Sequence, residues 1–436
     1  MDIAARLHRV LTEPAPEDEG FVATDDVLAA LPGTALGDLL PAAYAVPDAA
    51  RGHAATIARF AVEEAAAERQ PEFTPDACRR MFDALVAGLP RRNWADLTLG
   101  TAALARCPGP WPDGLATPAR TLVRFLLDAE DLGAPLALLA VAGLTAAPPQ
   151  ESRSGDAAGE TAGRPAPDAA RARRGSGGGA AAEEADQVAR EAAAARGPGG
   201  TERAAGSPSP GEADGDLLAE VAGRLSRGAG PVAAGEIGVI AGLGARDRVW
   251  LTELDRGRTY TAPPPLPDAW HRAAGIDAYA AWARSALREA AERARAVQDG
   301  TVPYKADKAF GPDEVVALGR AARVALAADE PWLPALFDRL LPDIAVAPTG
   351  AKTLPSQALL FEIVRAAQDV PTPELVTAIR NVRGAVRHAG CRGSWTGCSR
   401  RSTRRWPSAP RWPSGSPTSG SGRTVRCAAS WAATPP

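Results

Sequence analysis

Three groups of residues have types and spacing that could support chemistry: a glycine pair, scattered histidines and a small lysine cluster. The glycines, Gly242 and Gly244, follow the branched aliphatic residues Val239 and Ile240. A dinucleotide-binding loop begins in this way, but it needs a third glycine three residues later and then a helix whose amino end meets the phosphates. Asp247 stands at that position, and its carboxylate would repel a phosphate. We therefore expect a turn here and no nucleotide cofactor.

The four histidines could bind a metal ion only if further ligands stood near them. They are widely spaced in the sequence, and only His388 has cysteines a short distance away, at Cys391 and Cys398. Structural zinc sites place paired cysteines about two to four residues apart, and the gap between these two is wider. The sequence therefore predicts no metal site. The other histidines are His8, His53 and His271.

The three lysines of the chain fall close to tyrosine, proline and glycine residues. Lys305 and Lys308 follow Tyr304, and Lys352 ends the turn sequence Pro-Thr-Gly-Ala-Lys. A lysine beside a glycine could meet a phosphate, but a phosphate-binding loop needs several glycines at fixed spacing. We expect these lysines to be solvated surface residues. Because no serine before residue 390 stands in a nucleophile-elbow motif, the sequence predicts no catalytic or cofactor-binding residue.

Neither the cysteines nor the arginines indicate a reactive site. Five cysteines are too few for a disulfide framework in a chain of 436 residues, and we expect Cys78 and Cys107 to be buried as small apolar side chains. Arginine occurs 46 times. With the many alanine, glycine and proline residues, this bias indicates a GC-rich genome. We interpret it as codon usage.

The elements that would position any site are helices. Thr74, Pro75 and Asp76 form a helix start, with a capping hydroxyl, a proline in the first turn and an acid near the positive end. Val249 to Leu251 are expected to form a short extended segment. Because no segment alternates with period two, the predicted fold is all-α: an irregular helical array that resembles an α-solenoid. Other predicted helices cover residues 35–44, 54–68, 276–296, 312–327, 333–341, 355–368 and 373–388.

Composition divides the chain into four parts. Residues 1–145 are predicted to form an N-terminal helical domain, and residues 217–390 a second one. Between them, residues 146–216 contain one large aliphatic side chain, Val188, and no aromatic residue. Such a segment cannot bury enough apolar surface to offset its conformational entropy, so we predict a disordered insert. Residues 391–436 are predicted to be a disordered basic tail.

Charge and hydropathy argue against nucleic acid and membranes as partners. Residues 1–390 carry a net charge of -11, once the eight arginines of the tail are set apart from the total of -3. A nucleic-acid binder needs a basic face to neutralise phosphates. The uncharged run from Leu132 to Gln150 is interrupted by Pro135, Pro148 and Pro149, which favours a buried core helix over a membrane span. Met1 to Leu11 shows no secretory signal, so we expect a cytoplasmic protein.

Three sequence words carry a resemblance to a known family. They are YKADK at 304–308, APTGAKTLPSQ at 347–357 and RHAG at 387–390. These words resemble those of the bacterial "domain of unknown function 4132" family, over about a fifth of the chain. The resemblance implies a helix-rich cytoplasmic protein. Some members also carry a Trp-Gly-Arg domain and are described as molybdate metabolism regulators. That tripeptide is absent here, and the resemblance implies no catalytic residue.

Two classes of function follow from these observations. The first is a helical scaffold or regulatory protein that acts by binding another protein, because arrays of paired helices present extended binding surfaces. The alternative is a fragment of a larger enzyme whose active site lies in a C-terminal region missing from this chain. No sequence feature identifies a partner or a substrate.

The composition changes abruptly after Gly390. Residues 391–436 contain eight arginines, four of the ten tryptophans and three of the five cysteines, but no Leu, Ile, Lys, Asp or Glu. Wrong-frame translation of GC-rich codons yields such a composition. With suitable synonymous codons, residues 391–413 regroup in another frame to PRQLDRMLKKIDAALAERPEVA, an amphipathic helix. We therefore expect a truncated product with a frameshift near residue 390. The alternative is a genuine basic tail that binds nucleic acid or acidic partners.

We predict that resequencing the gene around codon 390 will find a frame disruption. The regrouped sequence restores the helical spacing of apolar residues that residues 391–436 lack. An intact frame, together with tail peptides detected by mass spectrometry in protein from the native host, would show that the tail is genuine.

Overall fold

The computed structural model describes residues 3–13, 28–45, 52–89, 92–145, 210–258, 263–350 and 353–385. These residues form sixteen α-helices and one 3-10 helix, and none of them lies in a β-strand. The predicted all-α helical array is therefore confirmed. The chain divides into two compact units, Met1–Trp282 and Ala283–Pro436.

The first unit contains eleven helices and the 3-10 helix among its described residues, and helix α12 (Asp277–Gln298) begins in it. The helices are α1 (Ile3–Thr12), α2 (Gly33–Ala45), α3 (His53–Glu68), α4 (Pro75–Ala87), α5 (Trp94–Ala105), α6 (Ala116–Asp128), α7 (Pro135–Ala142), α8 (Pro210–Ser226), α9 (Pro231–Gly242), α10 (Ala245–Leu251) and α11 (Ala269–Ala274), and the 3-10 helix is Thr252–Arg258.

The second unit contains the rest of α12 and four further helices among its described residues. These are α13 (Pro312–Ala327), α14 (Leu333–Ala345), α15 (Gln357–Asp369) and α16 (Pro373–Ala385). Helix α13 packs on α15, α14 packs on α16, and α15 also contacts α14 and α16. Contacts between alternate helices, added to those between neighbours, are what an α-solenoid-like stack produces.

Local sequence explains where several helices begin. The Oγ1 atom of Thr74 accepts a hydrogen bond from the backbone N–H of Ala77 at 3.1 Å, as the predicted helix start requires. Helix α5 begins with a capping box: Asn93 accepts from the N–H of Ala95 at 2.8 Å, and Asp96 accepts from the N–H of Asn93 at 3.0 Å. These side chains satisfy amide groups that have no partner within the helix.

Two local predictions require correction. Residues 249–251 are helical, because they end helix α10, and the predicted extended segment is wrong. Val249 and Leu251 are both buried, although they are two residues apart, because α10 contacts helices α5, α7 and α11 and so is covered on more than one side. Residues 210–216, expected to belong to the disordered insert, form the first turns of α8. Residues 146–209 and 386–436, and so the rest of the predicted insert and the whole tail, lie outside the described residues.

Helix α7 is the centre of the first unit. All of its residues after Pro135 are buried, which confirms the core helix expected from the run between Leu132 and Gln150. It contacts α5 and α6, which precede the insert, and α8, α9 and α10, which follow it. Among the described residues, no helix combines the length and the apolar character needed to cross a bilayer.

The division between the units therefore falls at a different place from the predicted boundary at residue 217. A helix that is apolar on every side must be enclosed on every side. The segments before and after the insert supply that enclosure together, so they form one unit that extends to Trp282. Composition gave no sign of this boundary, because it falls inside the continuous helix α12.

A buried ion pair connects the two segments of the first unit. Nη1 of Arg106 donates to Oε1 of Glu253 at 2.8 Å, with the two side chains 2% and 0% exposed. Arg106 also donates from Nε to the side chain of Gln70 at 3.1 Å and from Nη2 to the carbonyl of Pro264. The second carboxylate oxygen of Glu253 accepts from the N–H of Leu266 at 3.1 Å. All three guanidinium nitrogens and both carboxylate oxygens are therefore hydrogen-bonded, which buried charges require.

Other arginines bind backbone carbonyl groups at turns and helix ends. Arg69 donates to the carbonyl oxygens of Leu28 and Leu31 at 2.6 and 2.5 Å, and Arg224 donates to that of Leu127 at 2.9 Å. A guanidinium reaches two acceptors at once, which a lysine ammonium does with less fixed geometry. Codon usage alone is thus an incomplete interpretation of the arginine content, because arginine geometry stabilises this fold.

We predict that Glu253→Gln destabilises the protein by about 3 kcal/mol, because it leaves the charge of Arg106 buried and unpaired. The measurement is the free energy of unfolding in urea. The matched control is Asp268→Asn, which removes an exposed ion pair with Arg272 and should change stability little. An equal effect of the two substitutions would mean that the buried pair does not hold the unit together.

Candidate functional site

A groove between helices α12 and α14 is the candidate functional site. It lies within the second unit and encloses a volume of about 930 Å³. Small side chains, including Ala291 and Ala296, lie between its charged walls, and Thr301 lies at one end. The charged residues that line it are Arg288, Glu292, Arg295, Asp299, Asp338, Arg339 and Asp343.

Contacts at both ends hold the two helices together and leave the groove between them. At one end, the guanidinium of Arg284 lies 5.4 Å from the ring centroid of Trp332, just before α14 begins. At the other end, Nε2 of Gln298 donates to the carbonyl oxygens of Asp343 and Val346 at 2.7 and 2.6 Å. The helices therefore run in the same direction. With a rise of about 1.5 Å per residue, the contacts on α12 are roughly 20 Å apart.

Most of the charges in the groove have no partner within the described residues. Arg295 and Asp299 form an exposed ion pair at 3.1 Å. Four exposed residues form no ion pair and no side-chain hydrogen bond with any other described residue: Arg288, Glu292, Asp338 and Arg339. Exposed charges are well solvated, so they cost little alone and remain available to a binding partner.

Asp343 differs from these exposed charges because it is partly buried. Burial raises the pKa of its carboxyl group above the usual value, and nearby Asp299 raises it further, whereas Arg295 opposes the shift. The ends of α12 and α14 also meet here, and the carbonyl groups at a helix end carry partial negative charge. This end of the groove therefore combines two carboxylates with two negative helix ends.

The residues that carry the family resemblance come together beside the groove. Tyr304 donates its hydroxyl to the carbonyl of Thr353 at 3.1 Å, and the N–H of Asp307 donates to the carbonyl of Leu354 at 2.9 Å. Oδ1 of Asp307 accepts from the N–H of Gln357 at 2.7 Å and so caps helix α15. Two of the three sequence words, which are about 40 residues apart, thus form one pair of loops, 303–309 and 353–357.

The lysines and glycines that were considered for phosphate or nucleotide binding can now be located in the structure. Lys305 and Lys308 are exposed, in agreement with the expected solvated surface, and Lys352 lies outside the described residues. The Asp307 carboxylate occupies the amino end of α15, where a phosphate would have to bind. Gly242 ends helix α9 and Gly244 precedes α10, so the segment is a turn between two helices and does not follow a strand.

The histidines and cysteines are placed as follows. His8, His53 and His271 are exposed on three different helices, and His388, Cys391 and Cys398 lie outside the described residues. Among the described residues there is no group of three metal-ligating side chains with a suitable arrangement.

Cys78 and Cys107 are buried, as expected. Burial raises the pKa of the Cys78 thiol, and the neighbouring Cys107 raises it further, so the fold brings the two thiols close together. Burial also raises the pKa of Cys107. A thiol with a raised pKa contains little of the reactive thiolate at neutral pH.

The groove residues were missed in the sequence because charged residues on an exposed helix face are usually solvent-facing. A signal was present on α12, where Arg288, Glu292, Arg295 and Asp299 recur at intervals of four, three and four along one face. Sequence spacing could not show that a second charged helix faces them from α14.

Comparison with known proteins does not assign the chain to a family. No family model, no curated protein and no solved structure matches it. The groove and the neighbouring pair of loops are consequently the features from which a function can be argued.

We predict that Asp343→Asn makes the protein more stable at neutral pH. A raised pKa in the folded state means that the folded protein binds this proton more tightly than the unfolded chain does. The stability contributed by the protonated carboxyl is present at low pH and is lost as pH rises through the raised pKa. The variant should therefore exceed the wild type in urea unfolding at pH 7.5 and match it near about pH 3, where both are neutral.

The exposed Asp338→Asn on the same helix is the control and should leave stability unchanged. If Asp343→Asn proves less stable than the wild type at neutral pH, the charged carboxylate supports the fold and the electrostatic description of this end of the groove is wrong.

Proposed function

We propose that this protein is a helical scaffold or regulatory protein that binds another protein through the groove between α12 and α14. The observation that carries the proposal is the set of exposed charges in the groove that have no partner among the described residues, on two helices that are joined at both ends. Small-molecule sites of similar volume are lined mainly by apolar and aromatic side chains. A charged, open groove suits a polypeptide that brings complementary charges.

The solenoid-like packing of the second unit supports the same proposal. Helices α13 to α16 form a stack in which alternate helices contact each other, and such stacks present extended surfaces to partners. The groove lies beside the loops 303–309 and 353–357, where exposed backbone is fixed by Asp307 and Tyr304. A rigid framework that displays loops is a common arrangement for recognition.

Family membership and location are further parts of the proposal. We propose that the chain belongs to the "domain of unknown function 4132" family, since the words at 304–308, 347–357 and 387–390 resemble those of that family. We also propose a cytoplasmic location, as the family resemblance implies. We further propose that the protein does not bind nucleic acid, because residues 1–390 carry a net charge of -11.

Photo-crosslinking in the native host tests this function. Benzoylphenylalanine placed at Thr301, which is exposed at one end of the groove, should crosslink a partner protein in constant proportion to this chain. The matched position is Thr377, which is exposed on α16 and does not line the groove, and it should give no such product.

Arg288→Glu should reduce the Thr301 crosslink, because it reverses a charge that lies in the groove, whereas Arg380→Glu on α16 should not. Equal crosslinking from Thr301 and Thr377, or none from Thr301, would contradict the proposal. Metabolite turnover by the purified chain without any crosslinked partner would instead favour the alternative that it is part of an enzyme.

A further inference from the structure

Two buried thiols of the first unit lie side by side, where the first turn of helix α4 meets the end of helix α5. The Sγ atom of Cys78 donates to the carbonyl oxygen of Ala103 at 3.4 Å. Backbone carbonyl groups point toward the carboxyl end of a helix, and Cys107 stands there, four residues after Ala103. The thiols of Cys78 and Cys107 are hydrogen-bonded to each other. Their side chains thus meet across two helices that are distant in the chain.

The backbone holds the two cysteines in this position without help from the thiols. The N–H of Phe73, just before α4, donates to the carbonyl oxygen of Arg106 at 3.2 Å. Helices α4 and α5 also pack against each other. A disulfide forms only between cysteines whose side chains already face each other at short range, and this packing satisfies that requirement. Groups held in contact in this way react as an intramolecular pair.

The two thiols differ in access and in ionisation. Cys107 is 8% exposed, whereas Cys78 has no exposed surface. Burial raises the pKa of the Cys107 thiol, but the hydrogen bond with Cys78 and the nearby Arg246 both lower it. Arg246 is fixed there by its hydrogen bond to the carbonyl oxygen of Gly109 at 2.8 Å. A small oxidant therefore meets Cys107 first, and Cys78 stands behind it as the second thiol.

We infer that Cys78 and Cys107 form a reversible disulfide when the protein meets hydrogen peroxide, and that this bond locks the end of α5 against the start of α4. The inference is independent of the proposed groove function, since it concerns the first unit alone.

The reaction balances with one molecule of peroxide. The Cys107 sulfur attacks a peroxide oxygen, the O–O bond breaks, and the departing hydroxide takes the Cys107 proton and leaves as water. The product is a sulfenic acid on Cys107. The Cys78 sulfur then attacks the Cys107 sulfur, the S–O bond breaks, and the departing hydroxide takes the Cys78 proton as a second water. The two thiols lose two electrons, which reduce the peroxide.

The surroundings favour a disulfide over a soft metal ion such as Cu⁺. A cuprous ion between two thiolates leaves a net negative charge, and burial disfavours that charge for the same reason that it raises the pKa of both thiols. A disulfide carries no charge. Within the part of the chain that the structure describes, no group of three metal-ligating side chains includes this pair.

The position of the bond gives it a structural consequence. Cys107 directly follows Arg106, whose guanidinium joins the segment before the insert to Glu253 after it. The disulfide closes a loop of about 30 residues, and closing such a loop stabilises a folded protein. Because burial keeps the thiolate scarce at neutral pH, the lock forms slowly and responds to sustained oxidation.

Peptide mapping of the full chain tests the inference. The purified protein is exposed to hydrogen peroxide, free thiols are blocked with N-ethylmaleimide, and the chain is unfolded and digested with trypsin without reduction. We expect the tryptic peptides 70–79 and 107–120 to be joined in one product, which dithiothreitol separates. Disulfides that involve Cys391, Cys398 or Cys427 would give products of different mass.

Thermal unfolding measures the lock. Peroxide should raise the unfolding midpoint of the wild type by roughly 5–10 °C, and dithiothreitol should reverse the rise. Cys78→Ala is the control, and its midpoint should not rise with peroxide. The mapping result comes from the wild type and does not depend on how well this variant folds.

Three outcomes would overturn the inference. The first is recovery of both thiols free after exposure, or of Cys107 oxidised to sulfinic acid without a link to Cys78. The second is a linked product whose unfolding midpoint does not rise, since the bond would then lock nothing. The third is stoichiometric binding of Cu⁺ that Cys78→Ala abolishes, in a protein that peroxide does not crosslink, which would reassign the pair to a metal ion.

Discussion

The need to enclose helix α7 governs the first unit. Its residues from Leu136 to Ala142 are all apolar and all buried, so every side of the helix must contact other protein. Two preceding helices cannot cover a cylinder, and the remaining cover comes from helices that follow the insert. The helices on either side of residues 146–209 therefore belong to one unit.

Buried arginines complete this arrangement. Arg106 joins the segment before the insert to Glu253 and Pro264 after it, and neither side chain of the pair has more than slight exposure. Arg248 donates to the carbonyl groups of Ala241 and Leu243 at the end of α9, and its guanidinium lies against Gly143, where a Cβ atom would displace it. Burial lowers the pKa of Arg248, so the carbonyl groups must hold a charge that burial disfavours. The fold uses the planar geometry of the guanidinium group at these positions.

In the second unit, one partly buried carboxylate is paired with arginines and another is not. Partly buried Glu362 is compensated: burial opposes its charged form, but Arg323 and Arg365 lie within 2.8 and 2.9 Å and lower its pKa below the usual value. Asp343 in the groove lacks such partners, and its pKa is raised. The same unit thus contains one carboxylate that stabilises the stack and one that does not. That contrast supports a binding role for the groove, since natural proteins keep destabilising groups where function needs them.

The amino-acid pattern alone was enough to predict the helical class and many of the helices. Caps such as Thr74 and Asn93 and apolar residues at helical spacing act locally, so α4 and α13 begin close to their predicted residues. It also placed α7 in a core, because eight residues without a polar side chain need burial wherever they lie. Packing in three dimensions was needed to learn that helices on both sides of the insert share one unit, and that Cys78 and Cys107 are neighbours. It alone set the charges of α12 opposite those of α14, because contacts between residues far apart in the chain depend on how helices pack, and spacing along one helix does not contain that information.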